Sequence, residues 1–198
     1  MAIEIVESPI AAREAVQRVL RNRAENETFR TPNLRKAAPE LLNLWLPMPV
    51  AILPLDRIQP DGSLREAATP AAWRFLVREG DGQPIAAMQA TAVGAAGYRF
   101  GEISEGPAIA GISSAYKQAT GNEQFRDLRY EPWLLIAPAL YVAALWLCGP
   151  QPADDWLLPT PPSRPPFAHN ELVTAHDFMK RLADLAASVP RNDSARGG

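Results

Sequence analysis

The feature that most restricts the fold of this chain is a run of sixteen residues without a charge, Trp133–Cys148. A helix that spans a membrane needs about 20 consecutive apolar residues, and Pro138 stands near the middle of this run, where it would break a helix. Basic residues are not concentrated on one side of the run, as they are beside membrane spans. We therefore predict that the run is buried in a globular core, with membrane association as the disfavoured alternative.

The secondary structure of this run is ambiguous from the sequence alone. Its Leu and Ala content favours a helix, whereas Pro138 and Gly149 leave only ten residues between them, a length typical of a strand. The balance favours strands on either side of Pro138, followed by Trp156–Leu158 as a short last strand.

Hydrophobic spacing predicts the remaining elements. Three segments carry apolar residues at helical intervals: Pro9–Arg23, Pro107–Gly121 and a terminal helix capped by Asn170. Four segments alternate with period two and predict strands: Ala72–Arg78, Pro84–Val93, Tyr98–Ile103 and Gln124–Glu131. Leu41–Leu46 is expected to form a buried turn or two, and Val50–Leu55 an edge strand, because Pro54 has no N–H to donate.

The predicted helices and strands are grouped rather than alternating, which is typical of the α+β class. We expect an antiparallel sheet of about five to six strands with helices packed on one face, including an N-terminal and a C-terminal helix. Residues 1–190 are predicted to form a single domain. Seven prolines predict that 149–167 is an extended arm that acts as a tether, and 191–198 a disordered tail.

Composition excludes several classes of function. Twenty basic and 22 acidic residues give a net charge of −2, which argues against a nucleic-acid-binding protein. The single cysteine, Cys148, excludes an internal disulfide and a zinc site built from cysteines. No glycine-rich phosphate loop occurs, so no cofactor is predicted. The acidic N-terminus lacks the pattern of a signal peptide, so we expect a cytoplasmic protein.

Two motifs resemble a catalytic or a metal-binding pattern, but neither is predicted to have that function. Ser114 and Lys117 match S-x-x-K, but the companion motifs of penicillin-binding enzymes are missing. His169 and His176 are seven residues apart, whereas ligands on one helix usually lie one turn apart. We predict an exposed helix face for the first pair and no metal site for the second.

One group of residues suggests a ligand site. The charged segment before the apolar run contains Arg126 and Arg129, which are able to hold an anionic group. Tyr130 and Tyr98 are able to donate a hydrogen bond to it. The corresponding function is that of a small-molecule-binding protein or an enzyme, with a pocket between sheet and helix.

A second group suggests an interface. Tryptophan is enriched at binding hot spots, and Trp133, Trp146 and Trp156 are the candidates among five tryptophans. Phe178 and Leu182, on the terminal helix, would reach a neighbouring subunit if the arm carried that helix across. The leading hypothesis is therefore a non-catalytic binding or assembly module that acts through a protein partner or a homo-oligomer.

Overall fold

The computed structural model describes residues 3–161 and 163–188 of the 198. In this part of the chain, eight strands form one sheet and five α-helices accompany it. The strands are β1 (Leu42–Ile52), β2 (Thr69–Glu79), β3 (Pro84–Ala92), β4 (Tyr98–Ser104), β5 (Glu131–Ala137), β6 (Val142–Cys148), β7 (Trp156–Thr160) and β8 (Val173–Thr174). The helices are α1 (Ile10–Glu25), α2 (Pro32–Lys36), α3 (Leu64–Ala67), α4 (Pro107–Gly121) and α5 (Ala175–Ser188).

The sheet is mixed, in the order β4-β3-β2-β1-β5-β6-β7-β8. All neighbouring strands are antiparallel except β1 and β5, which pair in parallel over Val50–Ile52 and Leu134–Ile136. The prediction of an antiparallel sheet of five to six strands is therefore wrong. The parallel pair arises because α4 returns the chain from β4, at the sheet edge, to the centre beside β1. The hydrophobic alternation within a single strand does not indicate which strand lies next to it in the sheet, so it did not predict the parallel pair.

Helices cover both faces of the sheet, so the prediction of helices on one face is also wrong. Along β6, Leu145 and Leu147 belong to the core beneath α4, while Ala144 and Trp146 belong to the core beneath α5. The core beneath α1 continues the second of these faces across β2 and β3. We call the two sides the α4 face and the α1/α5 face.

Two predictions are wrong at the central strand β1. A turn was expected at Leu41–Leu46 and an edge strand at Val50–Leu55, but one strand between β2 and β5 covers most of the first segment and half of the second. Its residues pair with β2 along nearly their whole length, but only Val50–Ile52 also pair with β5. Pro47 and Pro49 precede that doubly paired part. Their missing N–H groups are tolerated because, in the described part of the chain, no strand pairs with that side of β1 there.

Several predicted elements are confirmed. The β2–β3 hairpin, β4, α1 and α4 lie close to their predicted bounds, and β5 and β6 flank Pro138 as expected. The strand predicted at Gln124–Glu131 is wrong except for its last residue. There the side chain of Asn122 accepts a hydrogen bond from the Gln124 N–H at 3.0 Å and starts a 3₁₀ turn, so β5 begins only at Glu131.

The C-terminal part also differs from expectation. Helix α5 begins at Ala175 rather than after Asn170, because the Thr174 hydroxyl accepts a hydrogen bond from the Asp177 N–H at 3.1 Å and caps the first turn. Strand β7 lies within the proline-rich segment 149–167 and is an interior strand of the sheet, between β6 and β8. The predicted tail, 191–198, lies outside the described residues.

The two strands of the apolar run are largely buried, as predicted, whereas the turn between them is mostly exposed, with Tyr141 at 76%. Leu134, Leu135 and Leu145 are at most 1% exposed in the sheet. None of the helices in residues 3–161 and 163–188 is long and apolar enough to cross a membrane.

Candidate functional site

A cavity of about 450 Å³ lies on the α1/α5 face over the middle of the sheet. On this face α1 packs mainly on β3 and β4, and α5 packs near β7 and β8. The central strands β1 and β5 lie between these helices, and among the described helices only the short α3 stands beside them. The cavity therefore occupies the space that neither long helix covers.

Strand residues and loop residues contribute about equally to the wall of the cavity. From the strands come Ala51, Pro70, Glu131, Trp133, Trp146 and Cys148. From α3 and the loops come Arg65, Ala68, Arg129, Gly149 and Pro150. The small side chains of Ala51 and Ala68 leave room that larger residues would fill.

Two tryptophans are the largest side chains in the wall. Trp133 of β5 and Trp146 of β6 are directly opposite in the strand register, with ring centroids 5.8 Å apart and planes tilted by 56°. Neither indole Nε1 has accessible surface, and neither has a hydrogen-bond partner within the described residues. The indole surface that reaches the cavity is therefore carbon.

An ion pair with a buried carboxylate supports one side of the cavity. Arg65 donates from Nε and Nη2 to the Asp155 carboxylate at 2.9 and 2.6 Å, and from Nη2 to the Gly149 carbonyl oxygen. Asp155, which is 1% exposed, also accepts a hydrogen bond from the Gly149 N–H at 2.9 Å. These bonds tie the loop after β6 to the end of α3. Hydrogen bonding to Asp155 raises the pKa of Arg65, so its guanidinium remains charged.

Two charged residues stand at the start of β5. Arg129 forms an ion pair with Glu4 at 2.5 Å, and its side chain is 69% exposed. Glu131 is half-buried and has no ion-pair partner within residues 3–161 and 163–188. These two residues form the rim of the cavity. The positive charge of Arg129 is paired with Glu4, whereas the carboxylate of Glu131 is unpaired within the described residues.

Cys148 lies opposite Glu131 in the register of β5 and β6. Burial raises the pKa of its thiol far above the ordinary value of 9.0, and the Asp155 carboxylate raises it further. The thiol therefore stays protonated at neutral pH and is a poor nucleophile.

The predicted ligand-binding residues are not assembled into one site. Arg129 lines the cavity, but Arg126 is exposed and pairs with Glu123 at 3.0 Å. Tyr130 is buried on the α4 face against Phe125, with ring centroids 5.0 Å apart. Tyr98, at the start of β4, packs against the core beneath α1. Three of the four residues thus point to three other regions of the molecule.

The predicted interface residues are distributed differently. Trp133 and Trp146 line the cavity, and Trp156 packs on the α4 face at 6.3 Å from Phe125. Phe178 and Leu182 are fully buried in this chain's own core beneath α5. In this conformation neither is accessible to a partner, and assembly stays a prediction.

The other motifs lie outside the cavity. Ser114 accepts a hydrogen bond from Asn170 at 3.0 Å, and Lys117 donates one to Gln83 at 2.9 Å, both at the surface. Within the described residues, no group of three or more His, Cys, Asp or Glu side chains is placed to hold a metal ion.

Sequence analysis missed Arg65 and Asp155, and it treated Glu131 only as part of a charged segment. No local signal connects Arg65 with Asp155, which lies ninety residues later. A signal did exist for the tryptophans, because a hairpin that turns around residues 138–141 places Trp133 opposite Trp146.

Comparison with protein-family models, with curated proteins and with solved structures finds no match for this chain, so the cavity and its residues are the basis for any functional assignment.

Proposed function

We propose that this protein binds a small molecule that has an apolar, ring-containing body in the cavity beside Trp133 and Trp146. The observation that carries the proposal is a cavity of about 450 Å³ whose wall contains two indole rings with buried nitrogen atoms, so that they present carbon. Ligand pockets typically enclose roughly 300–1,000 Å³, are mostly apolar and contain a few polar groups. This cavity fits that description in size and in lining.

The placement of polar groups orients the ligand. Trp133 and Trp146 form an apolar wall that suits a flat ring, since aromatic rings stack in offset or tilted arrangements. Arg129 and Glu131 stand at the start of β5, next to this wall. The apolar body is therefore placed against the indoles and a polar end group beside the charged rim.

The cavity is held open by rigid parts. Trp133 and Trp146 are on paired strands in the centre of the sheet, and Arg65 is fixed by Asp155. A wall that is already ordered loses little conformational entropy when a ligand binds. This supports a pocket that exists before the ligand arrives.

The proposal is tested with N-phenyl-1-naphthylamine, a neutral aromatic dye whose fluorescence increases in apolar surroundings. We expect saturable binding of one dye molecule per chain, with energy transfer from tryptophan. Absence of saturable binding would overturn the proposal.

Two matched variants locate the bound dye. Ala68→Phe places a ring inside the cavity and should weaken dye binding at least tenfold, whereas Ala92→Phe adds the same ring at an exposed position at the end of β3. The Ala92 variant should bind as the unmodified protein does. Equal affinity of both variants would show that the dye binds elsewhere.

A further inference from the structure

The charges around the cavity do not balance. Arg65 is neutralised by Asp155 at 2.6 Å, and Arg129 by Glu4 at 2.5 Å. Glu131 has no such partner within the described residues. The cavity therefore faces two ion pairs, whose fields largely cancel at a distance, and one carboxylate whose field does not.

The charges near Cys148, which also lines the cavity, have the same net sign. After burial, the largest influence on its pKa is the Asp155 carboxylate, which raises it; Arg65 lowers it, and Glu131 raises it again. Two carboxylates and one guanidinium thus act on this point of the wall. An anionic ligand would meet this field unfavourably.

The geometry of the tryptophans fits the opposite charge. A cation is attracted to the face of an indole ring, most strongly when water is excluded. Glu131 is two residues from Trp133 on the same face of β5, about 7 Å along the strand. An aromatic wall with a carboxylate at its edge is suited to an ammonium group, which touches the ring with its alkyl part and the carboxylate with its charge.

We infer that the ligand of this cavity is an organic cation, an amine or a quaternary ammonium compound with an apolar body, and that Glu131 selects its charge. This inference rests on the proposed function, because it names the chemical class that the same cavity takes. It departs from the anionic ligand that the sequence suggested, since Arg126 is elsewhere and Arg129 is already paired with Glu4.

Three compounds with one body and three charges test the inference. 4-tert-Butylbenzylammonium, 4-tert-butylbenzyl alcohol and 4-tert-butylbenzoate share their ring and alkyl group and differ in the end group. Their affinities are measured by displacement of N-phenyl-1-naphthylamine and by isothermal titration calorimetry. We expect the ammonium compound to bind at least fivefold more tightly than the alcohol, and the benzoate to bind most weakly.

Variants assign the charge selection to one residue. Glu131→Gln should reduce the preference for the ammonium compound over the alcohol at least threefold. Glu40→Gln, an exposed position outside the cavity, should leave this preference unchanged.

The outcomes separate the two proposals. Tighter binding of the benzoate, equal binding of all three compounds, or an unchanged preference in Glu131→Gln would overturn the cation inference and leave the binding function standing. Absence of saturable dye binding would overturn both proposals.

Discussion

The guanidinium of Arg65 and the carboxylate of Asp155, ninety residues apart in the chain, are joined by hydrogen bonds of 2.9 and 2.6 Å. Asp155 is 1% exposed, whereas the Arg65 side chain is 31% exposed. The Arg65 side chain therefore lies between the buried Asp155 carboxylate and the solvent. It holds the loop after β6 on the end of α3, and with it one wall of the cavity.

Replacing Arg65 by Ala should lower the free energy of unfolding by about 2 kcal/mol. Removal of one partner from a fully buried pair typically costs about 3–5 kcal/mol, and the partial exposure of Arg65 reduces this through solvent screening. Urea denaturation at neutral pH measures the change. Arg126→Ala is the matched control, because it breaks an exposed ion pair and should cost less than about 0.5 kcal/mol. A cost for Arg65→Ala no larger than this would show that the buried carboxylate does not need its partner.

Gly111 of α4 allows close packing against Pro161. A Cβ built on Gly111 would lie 2.1 Å from the Cδ of Pro161, and a proline ring cannot rotate away as a flexible side chain does. Gly111→Ala should therefore lower the free energy of unfolding by about 1–3 kcal/mol, the usual cost of overpacking. Thermal and urea unfolding are suitable measurements.

Gly121, at the end of the same helix, provides the control for Gly111. A Cβ there has no neighbour within 4 Å, so Gly121→Ala should be neutral or stabilising by up to about 1 kcal/mol. If both alanine variants have the same stability, the close approach of α4 to Pro161 is not a constraint on the fold.

Local signals in the sequence predicted the hairpins well. The alternation of Trp73, Phe75 and Val77 identified β2, and Pro138 separated β5 from β6. In each case the information lies within a few residues, because side chains of a strand alternate between two environments.

The remaining features depend on contacts between distant segments. The apolar residues at 41–46 indicated a turn instead of β1. Pro47 and Pro49 are acceptable in this central strand only where β5 is absent on one side. The position of β5 depends in turn on the path of α4 across the sheet. The partner of Arg65 is likewise set by the whole fold, so no nearby residue indicates it.

Tyr141 occupies a left-handed conformation in the turn between β5 and β6, with φ 53° and ψ 41°. Such a conformation costs a residue with a Cβ roughly 1–2 kcal/mol relative to glycine. The side chain is 76% exposed, so little packing is lost when it is removed. Tyr141→Gly should therefore raise the free energy of unfolding by up to about 1 kcal/mol. Tyr141→Ala retains the Cβ and should give no such gain; a gain in both variants would attribute the effect to the exposed ring instead.

Cys148 should make the stability of the protein fall at alkaline pH. Its thiol has a raised pKa in the folded state because of burial, while in the unfolded chain it ionises near its ordinary value of 9.0. A group with a raised folded pKa contributes its full stabilisation below the unfolded pKa and loses it as the pH rises above that value. Between pH 8 and pH 10 the wild type should therefore lose about 1.4 kcal/mol from this group. Cys148→Ala should lose correspondingly less over the same interval.

The comparison is made on the change with pH, because Cys148→Ala also alters packing at every pH. Tyr116 and Tyr130, whose pKa values are also raised by burial, contribute a similar decline above their ordinary value of 10.0 in both proteins. Urea unfolding at pH 8, 9 and 10 isolates the thiol, because the tyrosines, about half ionised in the unfolded chain at pH 10, contribute equally to both proteins. Parallel declines of the two proteins would mean that the Cys148 thiol ionises as readily in the folded state as in the unfolded chain, and that the cavity is open to water at this wall.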